Sequence, residues 1–230
     1  MLKLLTITLE PPVNDKINPA NECVILLHGL ARSAHSMDKM AERLTEQGYK
    51  VLNIDYPSRS YSIEQLAEKT ISDALTQCQG MSVSFVTHSM GGILVRQFLS
   101  NHTVKHLNKV VMLGPPNKGT EIVDKLGNIP GFHLVNGDAG MQLGTGALSV
   151  PNQLGKANFD VGIIAGTQSI NLILSSLIPD TDDGKVSVES TKVDGMNDHI
   201  EMPTTHVFMM RNDAVIEQVI NYLQQGKFEH

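Results

Sequence analysis

The feature that most constrains the fold of this chain lies at residues 83–92, where a serine joins a strand pattern to a helix pattern. Residues 83–86 form an apolar, β-rich run, and a helical pattern begins directly after Ser89. A sharp strand-to-helix turn of this kind is a nucleophile elbow, which holds a serine hydroxyl exposed above a sheet. Gly91 suits the turn because a Cβ there would collide with the strand. Ser89 is therefore the candidate nucleophile, at a helix N-terminus that favours developing negative charge.

The rest of the chain alternates strand and helix patterns with short turns, which is typical of a parallel sheet wrapped by helices. Strands are predicted at residues 23–27, 51–56, 110–113 and 161–166 and near residues 207–210. Helices are predicted over residues 36–47, from Ser62 as N-cap, through residues 94–99 and over residues 213–225. The apolar core of residues 1–10 is too short for a signal peptide, so this segment predicts a first strand.

Size and composition exclude several classes of protein. The 230 residues, 41% of them hydrophobic, suit a single domain over residues 1–230 with a full core. A net charge of −6 without a basic tract argues against nucleic acid as a partner, and no window approaches the ~20 apolar residues of a membrane span. Cys23 and Cys78 could pair, but their apolar surroundings favour two buried free thiols. Free thiols in turn predict a cytoplasmic protein.

The pattern changes between residues 117 and 158, where glycine and proline recur and periodicity fades outside residues 122–126. A long, weakly patterned segment inside an ordered domain is typical of a lid or a binding-site cap. Its many apolar residues would require cover. That cover is either a substrate or the core facing the sheet, and the sequence leaves both readings open.

A serine nucleophile needs a base to accept its proton and a carboxylate to orient that base. Both follow Ser89 in the chain, because an acidic turn comes after the strand at 161–166 and a histidine lies near residue 206. The turn offers Asp182 and Asp183 as the acid, and the candidates for the base are His206 and His199. His88 adjoins the nucleophile, but successive side chains of an elbow point apart, so it cannot easily reach the hydroxyl.

Four local motifs resemble those of bacterial lipases and esterases of the α/β-hydrolase superfamily, in the same order across nearly the whole chain. They are residues 28–30 (HGL), 87–92 (THSMGG), 115–121 (PPNKGTE) and 183–186 (DGKV), with His206 downstream. The resemblance implies a mostly parallel central sheet flanked by helices, with a cap or lid near residues 117–158. It also implies that Asp183 is the acid and His206 the base. Thr87 departs from the usual glycine of the elbow motif, at a position that needs a small side chain.

The resemblance further implies an oxyanion hole made by the backbone N–H groups of Leu30 and Met90. The predicted activity is ester hydrolysis through an acyl-enzyme on Ser89, on a small-molecule ester with an apolar acyl or alcohol group. No metal or organic cofactor is required. A thioesterase or an acyltransferase would use the same residues, and a hydrolase fold that binds a ligand without turnover is the alternative from another class. The oligomeric state is not predicted.

Overall fold

The structure is a computed structural model that describes residues 19–230 except residue 171. The strand predicted within residues 1–10 lies outside the described residues. The strands are β1 (Glu22–Leu27), β2 (Lys50–Ile54), β3 (Ser82–His88), β4 (Leu107–Leu113), β5 (Val161–Gly166) and β6 (Asp198–Met202). The helices are α1 (Asp38–Glu46), α2 (Ile63–Gln77), α3 (Met90–Asn101), α4 (Glu121–Leu126), α5 (Phe132–Met141), α6 (Val150–Gln153), α7 (Leu172–Ser175), α8 (Val188–Thr191) and α9 (Asp213–Gln225).

The described strands form one six-stranded sheet in the order β2-β1-β3-β4-β5-β6, and every neighbouring pair is parallel. β3, the strand that ends at the elbow, lies inside the sheet between β1 and β4. Residues 22–27 of β1 are all buried, as expected of a strand covered on both faces. The predicted parallel sheet flanked by helices is confirmed.

Two apolar clusters cover the two faces of the sheet. Successive residues of a strand point to opposite faces, so Ile25 and Leu27 pack with α2 and α3 while Val24 and Leu26 pack with α1 and α9. Burial of this apolar surface, worth about 25 cal/mol per Å², is the main favourable contribution to folding.

Local sequence determines where the two longest helices begin. The side chain of Ser62 accepts a hydrogen bond from Gln65 N–H, and the side chain of Gln65 accepts one from Ser62 N–H, so α2 starts with a capping box. α9 starts at Asn212, whose side chain accepts from two backbone N–H groups, and it ends at Gly226 in the left-handed conformation. The predicted N-cap at Ser62 and the predicted helix over residues 213–225 are both confirmed.

The strand predicted near residues 207–210 is wrong. Those residues enter a turn and a 3₁₀ helix at Met209–Arg211, with Met209 and Met210 both buried instead of alternating between two faces. The last strand is β6, upstream of His206, with the sequence DHIEM. β6 is an edge strand, which tolerates polar residues, so it lacks the apolar signal that marks the inner strands.

The prediction of two free thiols is also wrong. Cys23 in β1 and Cys78 at the end of α2 form a disulfide, with their Cα atoms 5.7 Å apart. The two cysteines are 55 residues apart in sequence, and only the packing of α2 on β1 brings them together. Since disulfides persist mainly in oxidising compartments, the argument from free thiols to a cytoplasmic location loses its premise. Within the described residues, no helix has the length and apolar character needed to cross a membrane.

Reduction of the Cys23–Cys78 disulfide is expected to lower the free energy of unfolding by about 2–4 kcal/mol, because the bond restricts the unfolded chain. Guanidinium unfolding followed by circular dichroism, with and without dithiothreitol, measures the change. The double variant Cys23→Ala/Cys78→Ala is the control, since the reductant should not shift its midpoint. Equal midpoints for native and fully reduced wild type would contradict the stabilising effect of the bond.

Candidate active site

Ser89 lies at the turn between β3 and α3 in a conformation that side chains rarely adopt, with φ 52° and ψ −121°. Such backbone costs on the order of 1–3 kcal/mol and persists only where the surroundings enforce it. Here α3 starts against the sheet, since a Cβ on Gly91 would come within 2.6 Å of Leu27 O. Ser89 N–H also donates to Leu113 O at 2.8 Å. The strand-to-helix turn predicted from the sequence is therefore present.

The structure brings Ser89, His206 and Asp183 into one hydrogen-bonded series. His206 Nδ1 lies 2.7 Å from Asp183 Oδ2, and His206 Nε2 lies 3.0 Å from Ser89 Oγ. Because the carboxylate only accepts, the series assigns the ring proton to Nδ1 and leaves Nε2 to accept from the serine hydroxyl. The side chains of His206 and Asp183 are 5% and 0% exposed, so water competes little for these contacts.

The loop around Asp183 fixes its carboxylate from the opposite side. Oδ1 accepts from Lys185 N–H at 3.0 Å and from Val186 N–H at 2.9 Å, which leaves Oδ2 for His206. His206 N–H donates in turn to Asp183 O at 2.8 Å. Both the side chain and the main chain of the acid therefore orient the histidine.

The alternative acid and the alternative base lie in other environments. Both oxygens of Asp182 are already bonded, one to Gly184 N–H within its turn and the other to the Ser175 hydroxyl at the end of α7, at 2.6 Å each. His199 lies on the edge strand β6, where its Nε2 is 3.0 Å from Thr191 Oγ1. Neither residue enters the series that contains Ser89.

His88 supports the site through the main chain of His206, a contact that the sequence analysis did not predict. Its buried ring donates from Nε2 to His206 O at 2.9 Å. Burial of the ring, as the larger cause, and the nearby His206, as the second, hold the pKa of His88 well below its usual range. The ring therefore stays neutral. The histidine within the THSMGG motif is the signal for this contact in the sequence. Its partner cannot be identified from local pattern, because it lies 118 residues away.

The HGL loop after β1 lies directly against the elbow. A Cβ on Gly29 would come within 2.8 Å of His88 Nδ1 and 3.1 Å of the Ser89 Cβ, so glycine permits this approach. His28 is fully buried and stacks on Tyr56 at 4.0 Å between ring centroids, and burial lowers its pKa. The stacked His28 ring therefore stabilises the HGL loop. Leu30 then borders the same cavity as Ser89, and Met90 begins α3, where N–H groups lack helical partners.

A cavity of about 440 Å³ opens beside Ser89 and His206. Much of its apolar lining comes from residues 117–158, including Ile122, Leu126 and Phe132. Other apolar residues of this segment, such as Ala139 and Val150, are buried in the core cluster that covers α2 and α3. One part of the segment therefore lines the cavity, where a substrate could cover it, and another part belongs to the core that faces the sheet.

The expectation that the many apolar residues of the 117–158 segment are covered is wrong for four of them. Leu134 and Leu148 are 85% and 86% exposed, and Ile129 and Val135, which border the cavity, are 52% and 57% exposed. Ile129 and Val135 therefore line the cavity and also reach solvent.

Arg96 of α3 holds the ends of this segment in place. The buried guanidinium donates to Asn117 O and Oδ1, at 3.0 and 3.1 Å, and to Pro151 O and Gly155 O, at 3.2 and 2.7 Å. Burial lowers its pKa to about 10, so it remains charged at neutral pH. The helix that starts at the elbow thus also anchors the segment that lines the cavity.

Comparison with known proteins finds a family described as alpha/beta hydrolase fold, which matches residues 22–133. Among solved structures, the mature lipase BlEst2 of Bacillus licheniformis is similar at 20% identity with a TM-score of 0.70, covering 90% of this chain and 94% of the lipase. A metagenomic carboxyl esterase, MGS0156, is similar at 16% identity with a TM-score of 0.65, covering 86% of this chain and 68% of the esterase.

A further similar structure is the phospholipase PlaB of Legionella pneumophila, at 20% identity with a TM-score of 0.59. The alignment covers 74% of this chain and 45% of the phospholipase. No curated protein sequence matches the chain. At these identities the structural similarities speak for the fold alone.

Arg96→Met is expected to lower the free energy of unfolding by about 1–3 kcal/mol, because it leaves buried carbonyl oxygens without a donor. Limited proteolysis should also cut within residues 117–158 sooner than in wild type. Lys69→Met, which removes an exposed cation from α2, is the matched control and should change neither property. Unchanged stability and unchanged cleavage in Arg96→Met would contradict the anchoring.

Proposed function

We propose that this chain, which has the α/β-hydrolase fold, is a serine hydrolase of the lipase and esterase kind that cleaves carboxylic esters through an acyl-enzyme on Ser89. The observation that carries the proposal is the series from Ser89 through His206 to Asp183 at the wall of a largely apolar cavity. A nucleophile, a base within hydrogen-bonding distance and a group that orients the base are the parts that acyl transfer requires.

In the first half of the reaction, Ser89 Oγ attacks the ester carbonyl while His206 Nε2 accepts its proton. The carbonyl oxygen becomes an oxyanion, and the N–H groups of Leu30 and Met90 stabilise it. The tetrahedral intermediate then expels the alcohol, which takes its proton from His206. The acyl group remains on Ser89 as an ester.

In the second half, water attacks the acyl-enzyme with His206 again as the base, and the acid leaves as Ser89 recovers its proton. Asp183 holds the imidazole in the required tautomer and stabilises its charged form in both halves. The two backbone bonds to Asp183 Oδ1 support this role, because they keep Oδ2 directed at the ring.

The cavity supports an ester with an apolar acyl or alcohol group. Its lining by α4 and α5 is mainly hydrocarbon, and hydrophobic lining with few polar groups is typical of sites for small apolar ligands. The similar structures include proteins named as a lipase, a carboxyl esterase and a phospholipase. These names agree with the proposal.

Ser89→Ala is expected to abolish hydrolysis of p-nitrophenyl esters from acetate to palmitate while leaving the thermal midpoint nearly unchanged. Ser100→Ala, at an exposed serine near the end of the same helix, is the control and should retain wild-type rates. Release of p-nitrophenolate measures turnover. Ester cleavage that persists in Ser89→Ala would contradict the assignment of Ser89 as the nucleophile.

Asp183→Asn is expected to lower kcat by about 10⁴-fold, because an amide donor facing Nδ1 stabilises the wrong tautomer. Asp182→Asn should lower kcat less than tenfold, since neither of its hydrogen-bond partners, Gly184 and Ser175, belongs to the series that contains Ser89. Steady-state kinetics on one ester, with circular dichroism to verify folding, compares the two variants. A larger loss in Asp182→Asn would move the acid by one residue.

A further inference from the structure

The charges around the cavity beside Ser89 all have one sign. Of its lining residues, Arg32 and Lys185 are cationic, and none is an aspartate or glutamate. This is unexpected in a chain whose net charge is −6. The two cations come from the loop after β1 and from the acidic turn after β5, which also carry Leu30 and Asp183.

Arg32 and Lys185 lie close enough together to interact electrostatically. Both side chains reach solvent, but partial desolvation of the ammonium lowers the pKa of Lys185, and repulsion from Arg32 lowers it further. Both cations also contribute to the lowered pKa of His88, after burial of that ring and the influence of His206. The pair is therefore within electrostatic range of the residue that precedes the nucleophile.

In the part of the chain that the structure describes, neither cation has a counter-ion of its own. Within residues 19–170 and 172–230, no carboxylate lies within 4.0 Å of the Arg32 guanidinium or the Lys185 ammonium. Asp183 attracts Lys185, but its oxygens already accept from His206 and from two backbone N–H groups. Two unpaired like charges beside a low-dielectric cavity repel each other and attract an anion.

We propose that Arg32 and Lys185 bind an anionic group of the substrate, so that the preferred esters are amphiphiles with an apolar chain and a phosphate or carboxylate. The inference rests on the proposed function for its ester bond. The apolar chain packs against Ile122, Leu126 and Phe132, which line the same cavity as the two cations. Arginine presents a planar fork of donors to anionic oxygens, and lysine adds a compact charge.

Three octanoyl esters whose alcohols are neutral, anionic and cationic test this preference: those of glycerol, glycerol 3-phosphate and choline, each below its critical micelle concentration. Wild type is expected to show a kcat/KM for the anionic ester about tenfold above that for the neutral one. In Arg32→Gln and in Lys185→Gln, the ratio of anionic to neutral kcat/KM should fall several-fold. The ratio of cationic to neutral should rise, a gain that misfolding cannot produce.

Lys105→Gln is the matched control, because it removes an exposed cation from the turn before β4. This turn precedes the amino end of its strand, whereas Arg32 and Lys185 follow the carboxyl ends of theirs. It should leave both ratios unchanged. If wild type cleaves the three esters equally well, or if the two variants keep the wild-type ratios, the anion preference is overturned while ester hydrolysis stands.

Binding of octyl phosphate, octanoate and octyl glucoside to Ser89→Ala protein, measured by calorimetry, separates this inference from the proposed function. Both anions should bind more tightly than the glucoside, and adding Arg32→Gln should weaken them about tenfold. Tighter binding of octyl phosphate than of octanoate would assign the group to phosphate, and the reverse order to carboxylate. If none of the three esters is cleaved but both anions bind more tightly than the glucoside, the proposed ester hydrolysis is overturned and the anion site stands. Equal binding of all three ligands would overturn the anion site.

Discussion

The close packing of α3 against the sheet enforces the left-handed backbone at Ser89, and the rest of the site depends on this contact. Gly91 lets the helix start next to Leu27, and no other residue fits without moving one of the two elements. The turn projects the serine hydroxyl from the carboxyl edge of an inner strand. Ser89 can therefore face side chains from loops on either side of β3 without any adjustment of the sheet.

The parallel sheet supplies the remaining groups at that same edge. The loops after β1, β5 and β6 carry Leu30, Asp183 and His206, because the carboxyl ends of parallel strands meet on one side. Two buried side chains then restrict the loop that carries His206 and the segment that lines the cavity. His88 is bonded to the main chain of His206, and Arg96 fastens the segment that lines the cavity. Both belong to the elbow strand or the helix after it, so one unit positions most of the site.

The sequence was sufficient for features that depend on local pattern and failed for those that depend on packing between distant segments. The elbow at Ser89 and the cap at Ser62 are each encoded within a few residues, and both are present. The Cys23–Cys78 bond arises from the packing of α2 on β1, which no local pattern records. The edge strand β6 lacks the apolar signal of an inner strand, and the predicted strand was placed after it for that reason.

The proposed mechanism depends on an acyl-enzyme at Ser89, and detection of that intermediate tests it most directly. Wild-type protein would be mixed with excess p-nitrophenyl octanoate, quenched with acid within milliseconds to seconds, digested and mapped by mass spectrometry. An octanoyl mass increment is expected on the peptide that contains Ser89, and none on that peptide from Ser89→Ala protein. Turnover of the ester with the octanoyl group on another residue, or on none at any quench time, would contradict it.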